Sequence, residues 1–345
     1  MCAGATSLPL IENDFQKMTT SIKDVALLAG VSVATVSRVL GNGPVSAALR
    51  AKVEAAVAQS GYRPNLSARR LRSQASRTIG LIVSDIRNPF FTSVSRAVED
   101  VAYRAGMRVI LCNTDENPDK EAMYLRLMQE ERVSGVIFAA TRATADSLDV
   151  AGLGFPVVMI DRAGPAARCD AVLLDNRTAA AQLVEHLLGR GYRRIGGLFG
   201  NTSSTGAERH AGFAEAMERV GLPAAARFVA PSAEAAQAEA AKWLREAGAP
   251  EALIASNGLL LLGVVKAVRE AGVAVPGRLA LAGFDNDSWT ELADPGMTVI
   301  EQPVDEIGRA AMEMLLERLE RPERPLRKVV LAGRLVERGS SQPRG

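Results

Sequence analysis

From about residue 77 onward, the chain alternates short, continuous apolar runs with stretches in which apolar residues recur at helical spacing. The helical stretches predict helices at 90–105, 121–131, 178–190, 207–220 and 259–271. The apolar runs predict buried strands at 79–83, 107–112, 136–139, 157–160, 195–199, 252–255 and 279–282. Continuous apolar strands between amphipathic helices are typical of a doubly wound parallel sheet. Because the pattern runs through two such series, it predicts two α/β lobes.

The first part of the chain carries the start and stop signals of three short helices. Ser21 begins a capping-box pattern, and Gly30 ends the first helix. Ser32 is in position to cap a second helix at 33–40. Ser46 is in position to cap a third helix, which runs to about residue 59. Two short helices that are joined by a glycine-containing turn and braced by a third predict a helix-turn-helix domain.

The second helix of such a domain lies in the major groove of DNA and reads base edges with its first residues. Arg38 can contact guanine or phosphate, whereas Val33 and Ala34 can touch a thymine methyl group. An ordinary pair of packed helices is the alternative, and the caps and the glycine turn favour DNA binding over it. The DNA-contact candidates here are Ser32, Val33, Ala34, Thr35, Ser37 and Arg38, with Asn42 in the loop that follows.

The net charge of +2 conceals an uneven distribution of charged residues. Residues 20–73 contain eight basic and two acidic side chains, whereas the rest of the chain has more acidic than basic ones. A basic head on a slightly acidic body is typical of a protein whose head meets a polyanion. A solvated charged surface is the alternative, and charge alone does not exclude it.

A basic segment, 64–76, follows the three helices. Pro64 interrupts the third helix, and Asn65 can cap a further short helix at 66–72. A helix of that length is unstable alone in water, so we expect it to form only against DNA and to be a disordered linker otherwise. Leu71 is a candidate wedge between base pairs. The DNA-contact candidates in this segment are Asn65, Leu66, Arg69 and Leu71.

Three runs of sequence carry a family resemblance. They are the run 22–40, which reads IKDVALLAGVSVATVSRVL, the run YRPN at 62–65 with Leu71 after it, and the run 78–91, which begins TIGLIV and ends NPFF. Together they resemble the lactose/galactose repressor (LacI/GalR) family of transcriptional regulators. The resemblance extends over most of the chain, and it implies a DNA-binding head, a hinge helix and an effector-binding core.

The resemblance also implies how the core is organised. In this family, as in periplasmic sugar-binding proteins, two lobes are joined by three crossovers, which here fall near Asn176, Gln302 and Lys328. A helix at 307–319 then returns to pack on the first lobe. The expected divisions are a flexible tail at 1–19, the helix-turn-helix domain at 20–63, a hinge at 64–76 and a core at 77–340, with lobe 1 at about 77–176 plus 302–328 and lobe 2 at about 177–301 plus 329–340.

Ligands of such sheets bind outside the carboxyl ends of the strands, so the residues that follow each strand are the pocket candidates. They combine aromatic rings, carboxylates, guanidinium groups and amides, which suits a polyhydroxylated ligand. The resemblance matches Asp161, Arg209, Asn257, Asp285 and Gln302 to effector contacts and Phe91 to a ring-stacking position. A surface ion pair is the alternative for Arg162, and core packing is the alternative for Trp289. The candidates are Asp85, Asn88, Phe90, Phe91, Asp161, Arg162, Arg209, Asn257, Phe284, Asp285, Trp289 and Gln302.

One departure from the family pattern bears on the charge of the effector. Many members have Asp after Asn where this chain has Gly258 after Asn257. Because that carboxylate is missing while Arg162 and Arg209 remain, we expect an anionic sugar acid or a phosphorylated sugar. The stretches 284–291 and 298–303 resemble the repressor subgroup that senses 2-ketogluconate or 2-keto-3-deoxygluconate.

Signals for catalysis are missing from the sequence. The chain has no Gly-x-Ser-x-Gly motif and no Gly-Lys-Ser/Thr phosphate-binding loop, and its two histidines, His186 and His210, fall on predicted helices. Its three cysteines lie far apart, which argues against a disulfide framework or a zinc cluster. We therefore expect no enzyme activity, no cofactor and no metal.

Location and partners follow from the same features. No apolar stretch reaches the roughly 18–20 residues of a membrane helix, and the first residues lack a signal-peptide pattern. We expect a cytoplasmic homodimer that binds a pseudo-palindromic DNA operator and is released when effector closes the lobes. The opposite sign of coupling, corepression, stays open. A sugar-binding receptor without DNA activity is the alternative function, which the basic head disfavours.

Overall fold

A computed structural model describes residues 21–41, 43–62, 76–164 and 169–343. The chain divides into two compact units, with the boundary between residues 74 and 75. Several positions considered above lie outside the described residues: the tail 1–19, Asn42, and the hinge candidates Asn65, Leu66, Arg69 and Leu71.

The described residues of the first unit form three helices: α1 (Ile22–Ala29), α2 (Val33–Leu40) and α3 (Ala47–Ser60). The side chains of Ser21, Ser32 and Ser46 cap them, each by accepting a hydrogen bond from a backbone N–H three residues on. These starts and the capping box at Ser21 confirm the prediction from sequence. The helices enclose a small core that centres on Val25, Val36, Val39, Val53 and Ala56.

The second unit is an α/β structure in which strands and helices alternate. Its strands are β1 (Thr78–Val83), β2 (Arg108–Asn113), β3 (Gly135–Phe138), β4 (Val157–Ile160), β5 (Asp170–Leu174), β6 (Ile195–Gly200), β7 (Ala225–Val229), β8 (Ala252–Ala255), β9 (Ala280–Phe284), β10 (Thr298–Glu301), β11 (Lys328–Leu331) and β12 (Arg334–Val336). Its helices are α4 (Pro89–Arg104), α5 (Pro118–Glu130), α6 (Arg142–Ser147), α7 (Asn176–Gly189), α8 (Ser204–Glu218), α9 (Ala233–Trp243), α10 (Gly258–Glu270), α11 (Ser288–Leu292) and α12 (Val304–Glu320).

The strands form two six-stranded sheets, one in each lobe. The first has the order β11-β5-β4-β3-β1-β2 and is parallel throughout. The second has the order β12-β10-β9-β8-β6-β7, and only its edge strand β12 is antiparallel. Helices cover both faces of each sheet, so successive residues of a strand pack into opposite cores, as Leu81 and Ile82 do in β1. The predicted two-lobed fold is confirmed.

Three crossovers join the lobes. The first lies between β5 and α7, and the second lies between β10 and α12. Helix α12 packs Ile307, Met312 and Leu315 into the core of the first lobe, as the family resemblance implied. None of the described helices is long and apolar enough to span a membrane.

The third crossover lies further along the chain than expected. Strand β11 pairs with β5 over its whole length in the first sheet, so residues 329–331 do not belong to lobe 2. The chain changes lobes after Leu331, at Gly333, where a Cβ atom would lie 2.5 Å from Cγ2 of Ile300. Because β11 ends at Leu331 and β12 begins at Arg334 in the other sheet, the crossover lies at residues 332–333, a few residues beyond the expected position near Lys328.

Candidate functional site

Helix α2 presents a polar and small-residue surface to solvent. Val36 and Val39 face the core of the first unit, and the DNA-contact candidates lie on the remaining positions. Of these, Ser32, Val33, Ala34 and Arg38 are exposed, and Thr35 and Ser37 are half-buried.

Local contacts fix the two ends of this helix. Oγ of Ser32 accepts a hydrogen bond from the Thr35 N–H at 3.1 Å, which starts the helix. At the other end, the stem of Arg38 lies against Gly43, where a Cβ would come within 2.7 Å of the arginine Cγ. Arg50 donates to the carbonyl of Gly43 at 3.1 Å and holds the loop. These contacts hold the Arg38 stem and the loop after α2 in place.

A cleft between the two lobes gathers nine of the twelve effector candidates. Its cavity volume is only about 30 Å³, about the space of one water molecule, so the two lobes are nearly closed on each other at this site. The parallel strands of both sheets end at this cleft, which is why residues that follow different strands meet there. The nine are Asn88, Phe90, Phe91, Asp161, Arg162, Arg209, Asn257, Asp285 and Gln302.

Three candidates do not line the cleft. Asp85 forms a bidentate ion pair with Arg87, at 2.9 Å between Oδ2 and Nη2. Phe284 is fully buried beneath Arg209, whose guanidinium carbon lies 3.9 Å from the ring centroid. Trp289 packs against the core of the second lobe. Phe284 and Trp289 thus support the walls of the cleft rather than forming its surface.

Arg162 of the first lobe is fully engaged by acidic neighbours. Its Nη2 and Nη1 donate to the two carboxylate oxygens of Glu116 at 2.6 and 2.8 Å, and its Nε donates to Asp161 at 2.9 Å. Burial alone would lower the pKa of Arg162, but the charges of Glu116 and Asp161 outweigh it and raise the pKa above its ordinary value. Arg162 therefore has little capacity left for an external anion.

Glu116 was missed from sequence, although a signal for it was present. It follows strand β2 at the same edge of the sheet as the candidates from β1 and β4, and no residue after β2 was among the pocket candidates.

Arg209 of the second lobe has a different environment, although it is equally buried. Its Nε donates to Oδ1 of Asn176 at 2.8 Å, and its Nη1 donates to the carbonyl of Ser256 at 2.5 Å. Its Nη2 has no hydrogen-bond partner, and no carboxylate of the described residues lies within ion-pair distance. Burial lowers the pKa of Arg209, and the charges of the nearby Asp285 and Asp161 offset this only in part.

Asp285 and Gln302 form the floor of the cleft on the second lobe. Asp285 accepts hydrogen bonds from the Gly258 N–H at 2.8 Å and from Nε2 of Gln302 at 2.5 Å. Oε1 of Gln302 is buried without a partner. A Cβ at Gly258 would lie 2.9 Å from the Asp287 carboxylate and 3.2 Å from Asp285, so the glycine makes room for both acids. The cleft thus contains an unused donor on Arg209 and an unused acceptor on Gln302.

The lobes touch each other at the edge of the cleft. The N–H of Arg142 donates to the carbonyl of Thr202 at 3.1 Å, and the Thr205 hydroxyl lies 3.4 Å from Oδ2 of Asp161. Burial raises the pKa of Asp161, and the two nearby arginines partly offset this. No group of acidic, histidine or cysteine side chains in the described ranges has the arrangement of a metal site.

A helix-turn-helix unit followed by a two-lobed core with a polar cleft defines a ligand-responsive DNA-binding regulator. Family models agree: one described as bacterial regulatory proteins, lacI family, matches residues 21–65, and one described as a periplasmic binding protein-like domain matches residues 184–341. The chain belongs to the LacI family of bacterial transcriptional regulators.

Individual relatives cover nearly the whole chain. The transcriptional regulator DegA of Bacillus subtilis is 35% identical over 94% of this chain and 99% of its own length. The transcriptional regulator KdgR of the same species is 35% identical over 93% of this chain and 97% of its own length. The crystal structure of the lac repressor dimer bound to operator and the anti-inducer ONPF superposes with a TM-score of 0.84, at 26% identity over 94% of this chain and 99% of that one.

Proposed function

We propose that this protein represses genes of carbohydrate or sugar-acid catabolism and leaves its operator when a small sugar-type effector, preferably a 2-ketogluconate-like acid, enters the cleft. The observation that carries the proposal is the buried guanidinium of Arg209. It has an unpaired Nη2 and forms no ion pair with the described residues.

A buried cation without an ionic partner is costly, and a bound carboxylate removes that cost while forming charge-assisted hydrogen bonds. The carboxylate of a sugar acid therefore fits Arg209. Hydroxyl groups of the same molecule can donate to Oε1 of Gln302, the buried acceptor without a partner. The aromatic side chain of Phe91, buried at the cleft wall, offers apolar surface to the C–H face of a sugar.

Calorimetry with sugar acids and their neutral parent sugars tests the choice of effector. We expect 2-ketogluconate or a related monoacid to bind, and we expect glucose and fructose to bind at least about tenfold more weakly, a difference of about 1.4 kcal/mol. Tight binding of neutral hexoses together with no affinity for any sugar acid contradicts the proposal.

We propose the homodimer as the DNA-binding form. The outer strands β2 and β7 lie at the ends of the two sheets, and each carries a large apolar side chain in solvent: Leu111 is 49% exposed and Phe228 is 50% exposed. A two-fold axis would place two heads on the halves of a pseudo-palindromic operator in the cytoplasm. Sedimentation analysis of the free protein tests this, and a strictly monomeric state at micromolar concentration contradicts it.

Regulation rather than catalysis is the proposed activity, as in the relatives named above. A mobility-shift titration of the protein's own promoter DNA, with and without sugar acid, tests it. We expect binding that weakens with salt and is released by the effector. Release of the DNA by the sugar acid indicates induction, and tighter DNA binding with the sugar acid indicates corepression. If the protein shifts no promoter DNA at low salt, with or without sugar acid, the proposal fails in favour of a sugar receptor without DNA activity.

A further inference from the structure

We propose that Glu116 determines effector specificity: by occupying Arg162, it limits the cleft to effectors with a single negative charge. The inference rests on the proposed function, because it concerns which members of the sugar-acid class the cleft accepts. It predicts that dianions such as aldaric acids and phosphorylated sugars are rejected, whereas a monoacid is bound at Arg209.

The geometry of the pair supports this role. The carboxylate of Glu116 bridges both terminal nitrogens of Arg162, at 2.6 and 2.8 Å, and the two side chains are only 12% and 6% exposed. Asp161 takes the remaining Nε at 2.9 Å. A second anionic group of an effector would therefore have to displace a bidentate, buried partner before it reached Arg162.

The backbone around Glu116 is shaped to present this carboxylate. Asp115 and Glu116 both have positive φ angles, of 52° and 57°, a conformation that is uncommon for residues other than glycine. The Glu116 N–H donates to the carbonyl of Ser84 at 3.1 Å, which ties the turn to the end of β1. The chain thus adopts an unfavourable conformation in which the Glu116 carboxylate meets the guanidinium of Arg162.

Charge balance gives the same result. Arg162 is balanced by Glu116, and Arg209 is the cation that keeps a free donor among the described residues lining the cleft. Asp161 and Asp285 also line it, so a second anionic group on the effector meets two carboxylates and no available guanidinium. Removal of the Glu116 charge would make the two terminal nitrogens of Arg162 available to a second anionic group.

The test compares the variant Glu116→Gln with the natural protein in calorimetry, using gluconate and glucarate as matched probes. These acids have the same carbon chain and differ by one carboxylate. We expect the natural protein to prefer gluconate and the ratio of the two dissociation constants to move at least about tenfold towards glucarate in the variant. Glu116→Asp retains the charge and should keep the natural ratio. Equal binding of both acids by the natural protein overturns the inference.

A second measurement does not depend on the identity of the effector. Melting temperatures in sodium sulfate and in sodium chloride of equal ionic strength report whether a guanidinium has become available. We expect an additional stabilisation by sulfate in Glu116→Gln that is absent from Glu116→Gln/Arg162→Met. The exposed pair Arg219–Glu185 offers the matched control Glu185→Gln, which should behave like the natural protein.

The two readouts separate the two proposals. If no carbohydrate binds the natural protein, the proposed effector class fails, while the sulfate comparison still decides whether Glu116 blocks Arg162. If monoacids bind but neither the acid ratio nor the sulfate response changes in Glu116→Gln, the inference about Glu116 fails and the proposed function stands.

Discussion

The two lobes place one buried arginine each in the same cleft, and they treat it in opposite ways. Arg162 of the first lobe is neutralised by Glu116 and Asp161. Arg209 of the second lobe rests on an aromatic ring and on neutral oxygens, and it keeps one nitrogen without a partner. The first guanidinium is fully paired within the fold, whereas the second keeps the unpaired nitrogen to which we assign the effector carboxylate.

The difference shows that residue type and location are not enough to assign a binding role. Both arginines are more than nine-tenths buried, and both line the cleft. Arg162 follows β4, and Arg209 lies in α8, the helix that follows β6. Burial lowers the pKa of both arginines, but the ion pairs of Arg162 with Glu116 and Asp161 outweigh it and raise the pKa, whereas the more distant charges of Asp285 and Asp161 do not outweigh it at Arg209. Four experiments test this difference between the two arginines.

The largest expected effect is on stability, in the variant Arg162→Met. The substitution leaves Glu116 and Asp161 buried without their counter-charge, which costs about 3–5 kcal/mol in the free energy of unfolding. Urea denaturation measures the loss. The double variant Glu116→Gln/Arg162→Met should recover part of it, since it removes both charges. If Arg162→Met lowers the free energy of unfolding by less than about 1 kcal/mol, Glu116 and Asp161 do not depend on Arg162 for their counter-charge.

The next effect is on effector binding, in the variant Arg209→Met. We expect affinity for a sugar acid to fall by a factor of about 100 or more, because a buried charge-assisted contact is lost. Calorimetry measures it, and unfolding should be perturbed less than in Arg162→Met. The exposed Arg177, changed to Met, is the control. Retained affinity in Arg209→Met would reverse the assignment of the two arginines.

A third arginine, Arg38 of the DNA-binding unit, extends the comparison to an exposed position. The variant Arg38→Ala should weaken operator binding by about 1–3 kcal/mol and leave the affinity for effector unchanged. A mobility-shift titration at several salt concentrations separates a base contact from a phosphate contact, because only loss of a phosphate contact lowers the salt slope. Unchanged operator affinity would contradict the placement of α2 in the groove.

The smallest effect concerns Asp287, whose carboxylate lies beside Asp285 near Gly258. Burial, and then the charge of Asp285, raises its pKa from 3.8 to about 6, while a hydrogen bond from the Trp289 side chain partly offsets this. The stability that this proton contributes is therefore present below about pH 4 and is lost as pH rises through 6.

Asp287→Asn should stabilise the fold by about 1 kcal/mol at pH 8, after allowance for partial exposure, and by nothing at pH 4. Thermal melts measure this, with the exposed Asp100→Asn as control; an equal gain at both pH values would exclude the titration.

Elements that depend on local signals were predictable. The caps at Ser21, Ser32 and Ser46 and the strands 157–160 and 252–255 agree with the sequence patterns to within a residue or two. Of the edge strands, β2 was predicted, whereas β7, β11 and β12 were not, and the interior strands β5 and β10 were also missed. In β7 and β11 the side chains are half-buried or exposed, so neither strand has the continuous apolar run on which the prediction depended.

Local signals in the sequence are sufficient for the helix-turn-helix unit, the alternation of strands and helices, and the set of polar residues at the strand ends, because caps and periodicity act over a few neighbouring residues. Long-range packing determines which charges meet. Glu116 and Arg162 are 46 positions apart, and Arg209 lies in the other lobe. Only the packing of the two sheets against one cleft brings these groups together, so only the folded chain shows that Arg162 is ion-paired and that Arg209 keeps a nitrogen without a hydrogen-bond partner.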